Sequence, residues 1–234
     1  TQLWPDGEDP LGYTANDVTD DGKLVFGSTP SGPAYYDVDK KQWVQLPGTG
    51  TITCVTPDGK RVAGYYLGGQ DAGDGQSNED AVIWDRNADG SYTYSEAAEL
   101  YPKFPKRDKT ENLCALFRID NMSADGNILA GSTNFVFLGQ NGYYVFNCAT
   151  GETIYPDNLI PEEYRGVGSY VDACNISNDG THLTGQAYVV GTNGEYTASF
   201  DMNIANGTLD LYNTYTDDQD RGGFAVTNSG MVIA

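Results

Sequence analysis

One six-residue pattern occurs five times along this chain: Asp17-Val-Thr-Asp-Asp-Gly22, Cys54-Val-Thr-Pro-Asp-Gly59, Asn121-Met-Ser-Ala-Asp-Gly126, Asn175-Ile-Ser-Asn-Asp-Gly180 and Ala225-Val-Thr-Asn-Ser-Gly230. Five residues beyond the turn glycine a second glycine follows in four copies, at Gly27, Gly64, Gly131 and Gly185. Val25, Val62, Leu129 and Leu183 stand two positions before it, and the fifth copy carries Ile233 at that aliphatic position. Each copy reads as a hairpin, with an Asp-Gly turn whose glycine accepts positive φ between a short strand and an alternating one. A third strand ends in an aromatic residue followed by Asp or Asn, at Tyr36-Asp37, Trp84-Asp85, Phe146-Asn147 and Phe200-Asp201. A fourth follows in Gln42-Trp-Val-Gln-Leu46, Ser91-Tyr-Thr-Tyr94, Glu152-Thr-Ile-Tyr155 and Thr208-Leu-Asp-Leu-Tyr212.

Four short antiparallel strands repeated at intervals of roughly 40 to 70 residues predict an all-β fold, a β-propeller of four-stranded antiparallel blades, four of them plus a partial fifth. A β-sandwich is the competing architecture, but it would not ordinarily repeat one four-strand unit with the same turn and the same aromatic-Asp ending. The blades fall at about 14–47, 51–99, 116–157 and 171–213, with the partial copy at 222–234, in a single domain. The fifth copy lacks its third strand, so the expectation is a ring completed by further blades or by self-association, because open strand edges invite pairing. Thr1-Gln-Leu-Trp4 could supply a closing fourth strand.

The run Ala15-Asn-Asp-Val-Thr-Asp-Asp-Gly-Lys-Leu-Val-Phe-Gly-Ser28, with Ala34-Tyr-Tyr-Asp37 and Trp43-Val-Gln-Leu46 after it, resembles the bacterial extracellular HAF-type repeat. Val55-Thr-Pro-Asp-Gly-Lys-Arg-Val-Ala-Gly64 is similar to the WD40-like propeller repeat of TolB-type envelope proteins. The resemblance covers most of the chain in pieces. It implies an exported bacterial propeller, extracellular, on the cell surface or in the periplasm. Such motifs encode turns and core positions, so they carry fold and not activity.

Charge narrows the partners. With 33 acidic against 13 basic side chains the net charge is −20, which repels phosphate backbones and anionic lipid head groups. No nucleic acid and no membrane insertion are expected, since no apolar run approaches the roughly 18 residues of a spanning helix. Cys54, Cys114, Cys148 and Cys174 show no CxxC spacing and read as buried free thiols, with disulfides as the alternative.

In a propeller the loops joining strands two and three, and those joining successive blades, open on one face. The long connections, Tyr65 to Asp80, Tyr101 to Ala115, Ser132 to Asn141 and Tyr155 to Tyr170, all map there. Long loops on a rigid scaffold are where binding resides. They offer Tyr65, Tyr66, Tyr101, Phe104, Lys106, Arg107, Tyr164, Arg165 and Tyr170 as a ligand-binding set: aromatic faces for saccharide stacking and cations for a carboxylate or acidic partner. The plainer reading is a solvated loop kept soluble by its lysines.

Asp85, Asn87, Asp89 and Glu96 match the spelling of a Ca2+ loop, with hard oxygens at alternate positions around a glycine bend. The same residues also sit where every blade turns, so a hairpin competes with a metal site. No other cofactor is indicated. The single histidine, His182, occupies the strand position of Leu24, Arg61 and Ile128 and reads as structural. It leaves no Ser-His-Asp or Cys-His system to assemble. Glycosidase chemistry needs only two carboxylates, which 33 acidic residues cannot single out. The Asn-x-Ser/Thr triplets at Asn121, Asn175 and Asn206 read as products of the repeat. The expectation is therefore a non-enzymatic binding module recognising a carbohydrate or a protein through the long-loop face. The alternatives are a carbohydrate-active hydrolase or lyase working with Asp, Glu and Tyr there, and a purely structural module of a larger envelope protein.

Overall fold

A computed structural model describes residue 3 and residues 11–71, 77–105, 115–135, 140–191, 194–215, 225–226 and 232–233. Lys106, Arg107, Lys109 and Cys114 lie outside the described residues, as do the turn of the fifth copy and the side chain of Cys174. The chain is an all-β propeller. Blade 1 comprises β1 (Thr14–Val18), β2 (Leu24–Thr29), β3 (Gly32–Asp37) and β4 (Gln42–Gln45). Blade 2 comprises β5 (Thr51–Val55), β6 (Arg61–Asp71), β7 (Ser77–Arg86) and β8 (Tyr92–Glu96), followed by the one-turn helix α1 (Ala97–Leu100). In blade 3 the first strand is split into β9 (Ala115–Phe117) and β10 (Asn121–Met122), before β11 (Ile128–Phe135), β12 (Gln140–Asn147) and β13 (Glu152–Ile154). Blade 4 is β14 (Tyr170–Ile176), β15 (His182–Gly191), β16 (Gly194–Asn203) and β17 (Thr208–Tyr215), and β18 (Ala225–Val226) with β19 (Val232–Ile233) begins a fifth sheet. All pairings within blades are antiparallel. A single parallel pair, Glu79 with Leu116, joins blades 2 and 3 into one continuous sheet. No helix among the described residues is long and apolar enough to cross a membrane.

The core lies between blades, not within them. Phe26, Tyr35 and Leu46 of blade 1 meet Val62, Val82 and Trp84 of blade 2. Ala63 and Ile83 of blade 2 meet Leu129, Tyr144 and Phe146 of blade 3. Ala130, Tyr143 and Val145 of blade 3 meet Leu183, Phe200 and Met202 of blade 4. Adjacent residues such as Val62 and Ala63, or Val82 and Ile83, thus serve opposite seams. This is why Ala81-Val-Ile-Trp84 is an unbroken apolar run: a strand buried on both faces cannot alternate.

The repeat motif builds the turn and the contact with the neighbouring blade. Thr19, Thr56, Ser123 and Ser177 are buried, and each hydroxyl donates to the turn aspartate, at 2.7 Å (Asp21), 2.9 Å (Asp58), 2.6 Å (Asp125) and 2.8 Å (Asp179). The same hydroxyls accept the N–H of the residue opening the second strand, at 3.1 Å for Leu24, 3.0 Å for Arg61 and Ile128 and 2.9 Å for His182. Hydrogen bonds from Thr19 and Ser123 hold the carboxyls of Asp21 and Asp125 below their ordinary range. Successive turns also touch: Asp20 N donates to Pro57 O at 3.0 Å and Ala124 N to Asn178 O at 2.8 Å.

One detail of the repeat is corrected. The register places Met202-Asn203, not Phe200-Asp201, opposite His182 and Leu183, where Trp84-Asp85 face Arg61 and Val62. Asn203 accepts the N–H of Asn206 at 3.1 Å, as Asp37 accepts that of Lys40 at 2.9 Å. Both dipeptides end an apolar stretch of β16, so spelling alone could not separate them. Asp201 instead receives His182, whose Nδ1 is 3.1 Å from both carboxylate oxygens. Cys54 is buried and, like Cys148, free. At the N-terminus, Leu3 O accepts the indole N–H of Trp43 on β4.

Candidate functional site

The first strands of successive blades neighbour one another and line the centre of the propeller. Those of blades 1, 2 and 4 bear an irregularity at an equivalent point, between Ala15 and Asp17, between Ile52 and Cys54, and between Ala173 and Asn175. In blades 1 and 2 the bulged residue ties its blade to the next. Asn16 Nδ2 donates to Ile52 O at 2.6 Å, and Thr53 Oγ1 donates to Ile119 O at 2.5 Å. The third copy has Asp120 at this place. An ionised carboxylate has no proton to donate, so it accepts the N–H of Ser132 at 2.8 Å and leaves the pattern.

Around Asp120 a charged cluster assembles at the long-loop end. Arg118 Nε lies 3.5 Å from Asp120 Oδ1 and 3.5 Å from Glu79 Oε2. Its guanidinium carbon sits 4.1 Å from the centre of the Tyr65 ring, a cation–π contact. Arg118 Nε and Glu79 Oε2 are buried and have no hydrogen-bond partner within geometric reach. Burial raises the Glu79 carboxyl; Arg118 opposes the shift and Asp120 adds to it. Burial, then the charge of Asp120, also raises Asp172 on β14. Chemically this is a set of acceptors around one cation, with aromatic faces alongside. Tyr65 lies under Arg118, and Tyr170 stacks on Tyr188 with ring centres 5.7 Å apart.

The ligand-binding set read from sequence is divided by the structure. Tyr65 and Tyr170 belong to this end. Tyr66 is turned to Glu96, donating to Oε1 at 3.0 Å. Tyr164 packs edge-on to Tyr196, and Arg165 is spent on Ile160 O, at 2.9 and 2.6 Å. Tyr101 and Phe104 are not on the long-loop face. α1 reverses the chain into the seam between blades 2 and 3, where Phe104 is 3% exposed against Tyr144 and Phe146. The Tyr101 hydroxyl, its pKa pushed up to about 12 chiefly by burial, meets Arg61 at the Asp-Gly end. Apolar rings gain more from filling that seam than from a wet loop. Glu79, Arg118, Asp120 and Asp172 belong to no motif that the sequence displays. The signal available was the third copy's departure from Asn16 and Thr53.

The residues with the Ca2+-loop spelling do not converge. Asp85 holds Arg61 bidentately at 2.7 and 3.1 Å, and Asp89 accepts the N–H and hydroxyl of Ser91. Asn87 bridges Ser91 and Thr93. Glu96 pairs with Val82, three residues from Asp85 along the strand and so about 10 Å away. Among the described residues no three His, Cys, Asp or Glu side chains are grouped to hold a metal.

On the connection from blade 3 to blade 4, Asp157 is the second residue of the 3₁₀ turn Pro156–Leu159 and accepts the N–H of Val171 at 2.7 Å. Burial lifts its pKa to about 6 despite the hydrogen bonds from Val171 and Tyr143. The native state thus keeps a proton that the unfolded chain has already lost, and this contribution to stability disappears as pH rises from about 4 through 6. Discounted for partial solvent access, it amounts to about 1–2 kcal/mol. Asp157→Asn, neutral throughout, should show a smaller loss across that window in urea titrations at pH 4, 5, 6 and 7; an unchanged difference from wild type would refute it.

No protein-family model matches the chain, and no curated protein matches it. Solved structures share its fold. An oligogalacturonate lyase in complex with manganese superposes with a TM-score of 0.54 at 10% identity, over 85% of this chain and 52% of that one. Kuenenia stuttgartiensis hydrazine synthase gives 0.49 at 13%, over 83% and 52%. TolB from Acinetobacter baumannii gives 0.45 at 14%, over 88% and 45%. The chain spans about half the length of these structures, and at such identities the likeness to them is one of fold alone.

Proposed function

We propose that the chain is a binding module of a bacterial envelope or extracellular protein, taking a carbohydrate at the long-loop end of its central channel. The observation that carries this reading is the Glu79–Arg118–Asp120 cluster over the ring of Tyr65, in which Glu79 Oε2 is a buried acceptor without a hydrogen-bond partner. Sugar hydroxyls donate to carboxylates and sugar faces lie on aromatic rings, the combination this end offers. Affinity electrophoresis through neutral and acidic polysaccharides should retard the protein in at least one gel, with no reducing sugar released. Glu79→Gln and Asp120→Asn should weaken that interaction about tenfold or more, since a hydrogen bond to a charged group contributes ~1.5–3 kcal/mol. Absence of retardation across the panel, or retardation indifferent to both substitutions, would overturn the proposal.

The second reading is a hydrolase or lyase at the same place, favoured by the raised carboxyl of Glu79 beside Asp120, one carboxyl biased toward its acid form near a second. Sugar release by the wild type that disappears in Glu79→Gln would select it.

A further inference from the structure

At the Asp-Gly end, opposite the channel cluster, the three seams between blades are closed differently. Between blades 1 and 2, Tyr92 reaches down to donate to Gly59 O at 2.7 Å, and a pocket of about 330 Å3 remains beside it, lined by Tyr35, Val44, Leu46 and Pro47. Between blades 2 and 3 the chain inserts a plug of its own, Tyr101-Pro-Lys-Phe104. The Tyr101 hydroxyl accepts from Arg61 at 3.0 Å, its ring packs on Phe146 at 5.5 Å, and Lys103 lies over Gly151. Between blades 3 and 4 the connector takes another course. Ile160 and Tyr164 join the core beside Val171 and Val189, and Arg165 pairs with Val190 at the far end. The seam beneath them stays open as a groove of about 210 Å3, walled by Ile128, Val145, Ile154 and Ile204, with Asn147 and Glu152 at its rim.

Four residues of the groove have counterparts at the plugged seam. Ile128 stands where Arg61 does, Val145 where Ile83 does, Asn147 where Asp85 does, and Gly180 where Gly126 does. It is smaller than the roughly 300 Å3 at which pockets begin to hold drug-sized molecules, so a single aromatic side chain suits it. Its lining includes one charged group, the exposed Glu152, and no basic one. The whole chain carries −20, so a cationic occupant is favoured by the local carboxylate and by the overall field.

We infer that this groove docks a short segment of a partner protein that presents an aromatic anchor with a lysine or arginine two or three residues away, as the chain's own Tyr101-Pro-Lys-Phe104 does one seam earlier. The site is distinct from the channel cluster and stands or falls independently of it. The probe is a fluorescent peptide with the sequence of residues 97–107, Ala-Ala-Glu-Leu-Tyr-Pro-Lys-Phe-Pro-Lys-Arg, titrated with the full chain and followed by anisotropy at low salt. Saturable binding is expected, abolished when the peptide's Tyr and Phe are both Ala. It should weaken at least tenfold in Ala205→Trp, which fills the groove from an exposed position at its edge, and severalfold in Glu152→Lys. Circular dichroism and urea melts establish that both variants fold. No saturable binding up to millimolar protein would overturn the inference. Undiminished binding to Ala205→Trp would also overturn it, placing the peptide elsewhere, for example in exchange with the chain's own plug. Self-association in sedimentation that Ala205→Trp abolishes would assign the groove to a second copy and overturn the partner peptide.

Discussion

Gly131→Ala is expected to cost about 4 kcal/mol or to prevent folding altogether, a larger effect than any single surface change in this chain. A Cβ at this position would stand 1.6 Å from Arg118 O and 2.7 Å from the carbonyl carbon, both backbone atoms. The equivalents meet the same obstacle: 2.0 Å from Thr14 O at Gly27 and 1.9 Å from Thr51 O at Gly64. No rotamer relieves a clash between a Cβ and main chain, so the two strands would have to part and break their ladder. Inserted volume in packed interiors typically costs ~1–3 kcal/mol, and this lacks the side-chain relaxation that keeps most such cases within it. Gly207→Ala is the control. Its φ is +67° but nothing lies within 4 Å of its added carbon, so it bears only the left-handed penalty of ~1–2 kcal/mol. Urea titration of both variants decides the point. Gly131 has no positive φ, so a loss no larger than that of Gly207→Ala would mean that the approach of the first strand does not account for the second glycine of the repeat.

That comparison shows where the sequence could be read and where it could not. The turn glycines and the spacing of Gly27, Gly64 and Gly131 made the blades legible, because a period of strands and turns is a local property. The reason for the second glycine was not legible, since it lies in a bulge on the preceding strand that brings Thr14, Thr51 or Arg118 against it. The alternation of Val62 and Ala63 between two seams likewise needs the third dimension. For the site, the sequence marks aromatic and basic residues on long connections. Tyr65 and Tyr170 lie at the long-loop end, but Tyr101 and Phe104 were claimed by the seam, because composition does not reveal that α1 turns the chain back. Glu79, Arg118 and Asp120 are unremarkable singly in so acidic a chain. They stand out only when the bulges are aligned and Asn16 and Thr53 are seen tying blades together where Asp120 cannot.

The position of Arg61 is a second place where one copy departs from the others, and it yields the other large effect. Arg61 holds Asp85 through two hydrogen bonds and reaches across the seam to Gly126 O at 2.9 Å and to Tyr101. Its side chain is 19% exposed, that of Asp85 41%. The carboxylate can turn to water, whereas the Gly126 carbonyl and the Tyr101 hydroxyl are left facing a gap once the guanidinium is gone. Arg61→Ala should therefore cost about 3 kcal/mol, toward the lower end for breaking a buried pair, and Asp85→Ala only about 1 kcal/mol. The double variant should fall within ~1 kcal/mol of Arg61→Ala alone, since one loss contains most of the other. Lysine should not restore the loss, because one ammonium cannot serve a bidentate carboxylate and a carbonyl across the seam together. If Asp85→Ala proved as damaging as Arg61→Ala, the pair within blade 2 would matter and the tie between blades would not. Ile128, which replaces Arg61 one blade later, has no such groups to offer, and its seam holds a groove where that of Arg61 is filled by Tyr101 and Phe104.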